Sequence, residues 1–292
     1  MSHMDEIKEL DALVSLLDEP NEDMFNEIRE KVLSYGKLAI PVLEEAWVNT
    51  LVDHDSIRIE NVIEEIKQEE LIQEFNNWVK VSNNNIIQGM VILSKYLQTD
   101  FDEGLYISKF EKLVRETWLE INDSLTALEK IKVVNHVFYS VYNYIGEANS
   151  GTKPETYYLN KVLDYKKGNP VSLGVLYIAI AQNLDIPVFG VNLPGHFIIG
   201  YMDDSSTMKL PDEYIEEDVL FYLNAGNKGA IFTSNEIDHY INKIKINPKP
   251  EFYLPLSNLN VMVRMINELI VVLEKENNNS KINGLKSLLK RL

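Results

Sequence analysis

His196, Ser172 and Asn224 are the residues of this chain whose type and setting could do chemistry. His196 follows Leu193-Pro194-Gly195 and opens the apolar run Phe197-Ile198-Ile199. Pro-Gly forces a turn, so the imidazole begins a strand and can be held rigidly at the end of a sheet. A structural histidine and a general base both fit that position. Ser172 lies in Gly168-Asn169-Pro170-Val171-Ser172-Leu173, in the first turn of a strongly apolar helix. Its hydroxyl can serve there as a cap, satisfying backbone N–H groups. It can also serve as a nucleophile, where backbone donors and the positive helix end stabilise a developing anion. Asn224 ends the run 219–223 and precedes Ala225-Gly226-Asn227-Lys228-Gly229. Alone it is a turn asparagine.

The other histidines carry less. His54 is expected in a solvated polar loop, His136 on a helix face or in the core among Val133, Val134, Val137 and Phe138, and His239 at the surface between Asp238 and Tyr240. Ser2-His3-Met4 resembles a cloning remnant, so His3 is set aside. Gly226 and Gly229 lack the spacing of a phosphate loop. Asp203-Asp204 reads as a pair of solvated loop acids. No metal and no cofactor is expected.

Composition narrows the classes. The 292 residues include no cysteine, which excludes a disulfide framework, a zinc ribbon, an iron–sulfur cluster and a thiol nucleophile. Lys and Arg number 28 against 45 Asp and Glu, a net charge of −17. That balance argues against nucleic acid, since phosphate binding needs a basic face. No apolar run reaches the length of a membrane span, and Met1 to Asp5 lack the apolar stretch of a secretion signal, so a cytoplasmic protein with no membrane partner is expected.

The elements that must position the three residues follow from periodicity. Residues 5 to about 80 read as helices only, with Pro41 in the first turn of one of them. The phrase from Leu16 to Trp47 resembles a HEAT-type helical repeat, of the kind that stacks into scaffolds, and a plain helical subdomain fits it equally. Asn83-Asn84-Asn85 marks a boundary. Helical spacing resumes over 86–97, 110–118, 124–144 and 157–163, with a loop at 146–153 that carries Ala148-Asn149-Ser150-Gly151. From Leu173 to Leu184 the helix is apolar nearly all round, which predicts full burial. Strand-like runs follow at 188–193, 197–202 and 219–223. One buried helix followed by consecutive strands predicts an α+β domain with an antiparallel sheet. Two further helices, 259–273 and 281–292, flank a turn at Asn277-Asn278-Asn279. The expected domains are a HEAT-like helical region over 1–82, an α+β domain over 83–250 and a C-terminal helical hairpin over 251–292.

Tyr158-Leu159-Asn160-Lys161-Val162-Leu163, Gly168-Asn169-Pro170-Val171-Ser172-Leu173 and Val191-Asn192-Leu193-Pro194-Gly195-His196-Phe197 resemble the bacterial SirB-type branch of the transglutaminase-like superfamily. The resemblance is clearest from about Asn122 to Ile231, and Leu193 to Phe197 is its most specific part. Arg264 to Glu274 resembles the start of a tetratricopeptide tail, here cut to one hairpin. The resemblance implies a papain-like fold, a helix packed on an antiparallel sheet. Active members of the superfamily use Cys–His–Asp, with the cysteine at the helix N-terminus. In the SirB-type branch serine usually stands in place of that cysteine, and Ser172 matches it. His196 matches the histidine, and Asn224 falls where the family has aspartate. Asn160, Asn169, Pro194 and Gly195 are the motif residues expected to line a binding cleft.

Both departures weaken catalysis. A serine hydroxyl needs a competent base, and in a serine triad the Asp-to-Asn change costs about 10⁴-fold in turnover. The expectation is a catalytically degenerate protein that binds a protein or peptide partner. Two alternatives remain: a weak serine-dependent amide hydrolase or acyl transferase using Ser172, His196 and Asn224, and a purely structural helical-repeat adaptor.

Overall fold

The computed structural model describes all residues except 1–2, 51–52, 82–84, 99, 148–152, 204, 207–212, 277–278 and 291–292. Asp204, Ala148-Asn149-Ser150-Gly151, Asn83-Asn84 and Asn277-Asn278, each singled out above, lie outside the described residues. The chain divides into two compact units, Met1–Phe75 and Asn76–Leu292.

The first unit is helical. It holds α1 (His3–Val14), α2 (Glu22–Leu33), α3 (Ile40–Asn49) and most of α4 (Asp53–Val81). Asn21 caps α2, accepting from the N–H groups of Asp23 and Met24. Pro41 sits in the first turn of α3, where its missing N–H is no loss. His54, expected in a loop, lies in the first turn of α4. Leu10, Leu17, Val32, Leu43, Val62 and Ile66 form the core of this unit. Each such side chain taken from water contributes about 1.5–3 kcal/mol.

The second unit is mixed. Helices α5 (Ile86–Leu97), α6 (Glu103–Trp118), α7 (Ala127–Asn135) and α8 (Leu159–Tyr165) precede the buried α9 (Pro170–Gln182). The helix expected over 124–144 starts at Ala127, behind a Thr126–Glu129 capping box, and widens into a π-helical turn over His136–Val141. The two-residue strands β1 (Ile145–Gly146) and β2 (Lys167–Gly168) pair in parallel just before α9. The main sheet is β3 (Val188–Leu193), β4 (His196–Met202), β5 (Val219–Asn224) and β6 (Ala230–Phe232), antiparallel and in chain order. Then come α10 (Ser234–Ile244), α11 (Asn258–Lys275) and α12 (Asn279–Leu289). The α+β class, with a buried helix on an antiparallel sheet and helical flanks, is what the structure has. Every residue of α9 from Val171 to Ala181 is buried, as its all-round apolarity requires.

The two faces of the sheet pack differently. On one, Phe197 and Gly190 meet α9 and α11. A Cβ on Gly174 would lie 2.3 Å from Phe197 Cε1, and one on Gly190 would lie 2.6 Å from Val261 Cγ2, so both glycines exist for close approach. On the other face Val191, Leu193, Ile198 and Tyr222 form a core with Ile237 and Ile241 of α10 and with Phe252 and Tyr253.

Candidate functional site

Asn169 organises the start of α9. Its side-chain Oδ1 accepts from the N–H groups of Val171 at 2.9 Å and Ser172 at 2.8 Å, while Nδ2 donates to the carbonyl and hydroxyl of Thr156 at 3.3 and 3.2 Å. Pro170 follows at the first helical position, where its fixed φ is pre-organised. The Ser172 hydroxyl donates to the Asn169 carbonyl oxygen at 3.2 Å, and the residue is 0% exposed. Gly168 closes over it: a Cβ there would stand 2.7 Å from Ser172 Oγ. The loop after β5 seals the same turn. Gly226 lies against the Pro170 ring and Gly146, and Tyr139 donates to the Ala225 carbonyl at 2.8 Å. Asn135 donates to the Gly229 carbonyl at 3.0 Å and accepts from Tyr177 at 3.0 Å. Burial holds the Tyr139 and Tyr177 phenols well above their ordinary value, which keeps both protonated as donors.

His196 opens β4 as expected and is exposed. Its ring meets Tyr240 of α10 edge-on, with centroids 5.0 Å apart and planes at 72°. Tyr240 in turn donates to the Pro194 carbonyl at 2.9 Å, which fixes the turn where Gly195 takes φ +75°. Register explains the orientation. His196 pairs with Leu193 and alternates with Ile198, so it belongs to the face covered by α10, while Phe197 faces α9. Asn224 alternates with Tyr222 on that same α10 side and pairs with Ala230; its carbonyl accepts the Gly229 N–H at 2.9 Å. Among the described residues no hydrogen bond joins Ser172 to His196 or Asn224. The structure thus gathers Ser172 and Asn169 at the start of α9 and brings Asn224 near the same turn through Gly226, where a Cβ would lie 3.3 Å from both Asn224 Oδ1 and Pro170 Cγ; His196 follows the Pro194-Gly195 turn on the face that α10 covers. The Asn160 amide forms a reciprocal pair with Gln98, at 2.7 and 3.0 Å.

Residues not anticipated from sequence support this arrangement. Thr156 receives Asn169, Tyr240 holds His196, and Arg264 of α11 pairs with Glu268 at 2.9 Å, bonds to Asn192 and lies over the Phe197 ring. The Thr233–Glu236 capping box that starts α10 was a readable signal for the helix carrying Tyr240. A cleft of about 690 Å³ opens beside Thr156, with Lys153, Lys161 and Lys167 facing Glu147, Glu155 and Glu276. Among the described residues no cluster of three or more His, Asp or Glu could hold a metal ion, and no helix is long and apolar enough to cross a membrane.

Comparison with known proteins bears on the same segment. A family model described as the transglutaminase-like superfamily matches residues 105–267. A UPF0162 protein of Xylella fastidiosa is 28% identical over 131 residues, 44% of this chain and 47% of that protein. Protein SirB1 of Salmonella typhimurium is 27% identical over 118 residues, 40% of this chain and 44% of SirB1. The mouse F-box only protein 21 is 25% identical over 148 residues, half of this chain and 22% of the mouse protein. The chain spans less than half the length of these relatives. No solved structure matches it.

Proposed function

The chain belongs to the transglutaminase-like superfamily as a SirB-type member, and from that premise we propose that it acts by binding a protein or peptide rather than by acyl transfer. The observation that carries this reading is the state of Ser172. Its hydroxyl is sealed from solvent and donated to the Asn169 carbonyl, inside the cap of its own helix. A nucleophilic serine needs a base within hydrogen-bond reach to take its proton. The imidazole at His196 is exposed on the α10 side of the sheet and engaged with Tyr240. Asparagine at 224 supplies no charge to stabilise an imidazolium. The helical elements before and after the sheet domain would add surface for a partner. On this reading Ser172 and Asn169 fix the shape of the fold, and His196 with Pro194 and Gly195 is surface available for contact. The competing reading keeps Ser172 as nucleophile, His196 as base and Asn224 as orienter, acting on a peptide or isopeptide amide.

The absence of cysteine gives a clean test. Ser172→Cys introduces a single thiol at the position where active superfamily members carry theirs. The proposal expects the native variant to resist iodoacetamide and to react only after denaturation. Rapid, stoichiometric alkylation of the folded variant, with an unchanged circular dichroism spectrum, would overturn it.

A further inference from the structure

On the α10 side of the second unit, a groove of about 610 Å³ lies between the segment leading into β5 and the turn leading into α11. Tyr214, Ile215, Pro250, Tyr253 and Leu254 supply its apolar wall. Glu216, Glu217 and Asp238 line it with carboxylates. Among the described residues Lys249 is the one basic residue lining it, and it is paired with Glu251 at 3.4 Å. Asp238 accepts from the Tyr253 hydroxyl at 2.5 Å; among the described residues Glu216 and Glu217 have no basic partner.

The geometry points to a docking groove for a cationic segment of a partner protein, with Lys or Arg side chains laid along the tyrosines and their charged heads among Glu216, Glu217 and Asp238. The inference names the surface and partner chemistry for the binding role proposed above, and rests on it. Three features select this occupant. Long basic side chains bury an aliphatic stem while keeping the head polar, which matches an apolar wall beneath carboxylates. Half-buried Tyr214 on the groove wall adds an aromatic surface that attracts a cation. The local field is negative. The Tyr253 phenol is raised first by burial, then by its bond to Asp238 and by the charges of Asp238 and Glu216, and the Tyr214 phenol is raised by burial and by Asp218. The chain-wide charge of −17 draws cationic partners generally. The groove gives that attraction a fixed address, because Pro248 and Pro250 stiffen one of its edges.

The test is fluorescence anisotropy with the full chain and a labelled, N-acetylated decapeptide carrying Lys at alternate positions and Ala between them. The double variant Glu216→Gln/Glu217→Gln is expected to weaken binding about tenfold, two charge contacts of up to about 1 kcal/mol each. A charge-matched double variant in the first unit, Glu44→Gln/Glu45→Gln, is expected to change it less than about twofold by general charge alone. Equal weakening by both pairs overturns the inference. So does a lack of saturable binding by the unaltered chain, or spermidine binding as tightly as the peptide. None of these results bears on Ser172, whose alkylation test reads the binding-versus-catalysis question separately.

Discussion

Asn169 holds Ser172 twice: its side-chain oxygen accepts the Ser172 N–H at 2.8 Å and its carbonyl oxygen accepts the Ser172 hydroxyl at 3.2 Å. The same asparagine reaches Thr156 with its amide nitrogen. One buried residue therefore caps α9, binds the serine and ties the helix to the turn before α8.

Asn169→Ala removes an N-cap acceptor and leaves buried donors of Val171 and Ser172 without their partner. The expected loss is about 2 kcal/mol, read as a lower urea midpoint at unchanged slope. A loss no larger than that of an exposed substitution would show the cap to be dispensable.

Gly174→Ala probes the seam between α9 and the sheet. Its Cβ would fall 2.3 Å from Phe197 Cε1, and on the other side of the ring Gly190 leaves so little space that a Cβ there would lie 2.7 Å from Cζ. Overpacking of this kind costs about 1–3 kcal/mol. Gly104→Ala is the opposite case. Its Cβ meets nothing nearer than Asp102 Oδ1 at 3.6 Å, on an exposed helical turn, so it is expected to stabilise by about 0.5–1 kcal/mol. Thermal unfolding of the two variants should shift in opposite directions.

The alkaline limb of stability is set by tyrosines. Burial pushes Tyr158 up to about 12, and burial with a bond to a carboxylate does the same for Tyr106 through Asp164 and Tyr142 through Glu116. Burial raises Tyr144, Tyr177 and Tyr222 still further above their ordinary value. A phenol protonated in the fold but ionised in the unfolded chain contributes stability that is full below about 10. That contribution is lost as pH rises from there through the folded values. Lys166 acts in the other sense: burial lowers its value, so its small contribution grows toward alkaline pH. The tyrosines outnumber it. Denaturant midpoints are expected to fall steeply above pH 10, with the absorbance of the buried tyrosinates appearing together with unfolding rather than ahead of it.

Much of this fold was legible because its signals are local. The all-round apolarity of Leu173 to Leu184 announced a buried helix, and Pro194-Gly195 announced the turn that makes His196 the first residue of β4. Asn169 before Pro170 is a readable cap. Less was legible where a third element decides the outcome. Strand β6 has three residues and too little alternation to be read. The segment of helix α10 reads as polar surface around His239, although Thr233 and Glu236 mark its start. Alternation along β4 sets His196 with Ile198 and apart from Phe197, but nothing in that strand says which face α9 will cover. That choice is made by Gly174 and Gly190, whose missing side chains admit Phe197 against α9 and α11. Residue types alone therefore suggest a Ser172–His196 pair, while its geometry is decided by tertiary packing.

The central claim is that Ser172 is bound into the Asn169 cap of its helix and does not act as a nucleophile. It is tested most directly by the intact mass of the native chain after incubation with a fluorophosphonate. The account predicts an unchanged mass at concentrations that label a serine hydrolase fully. A stoichiometric adduct mapped to Ser172, and absent in Ser172→Ala, would contradict it.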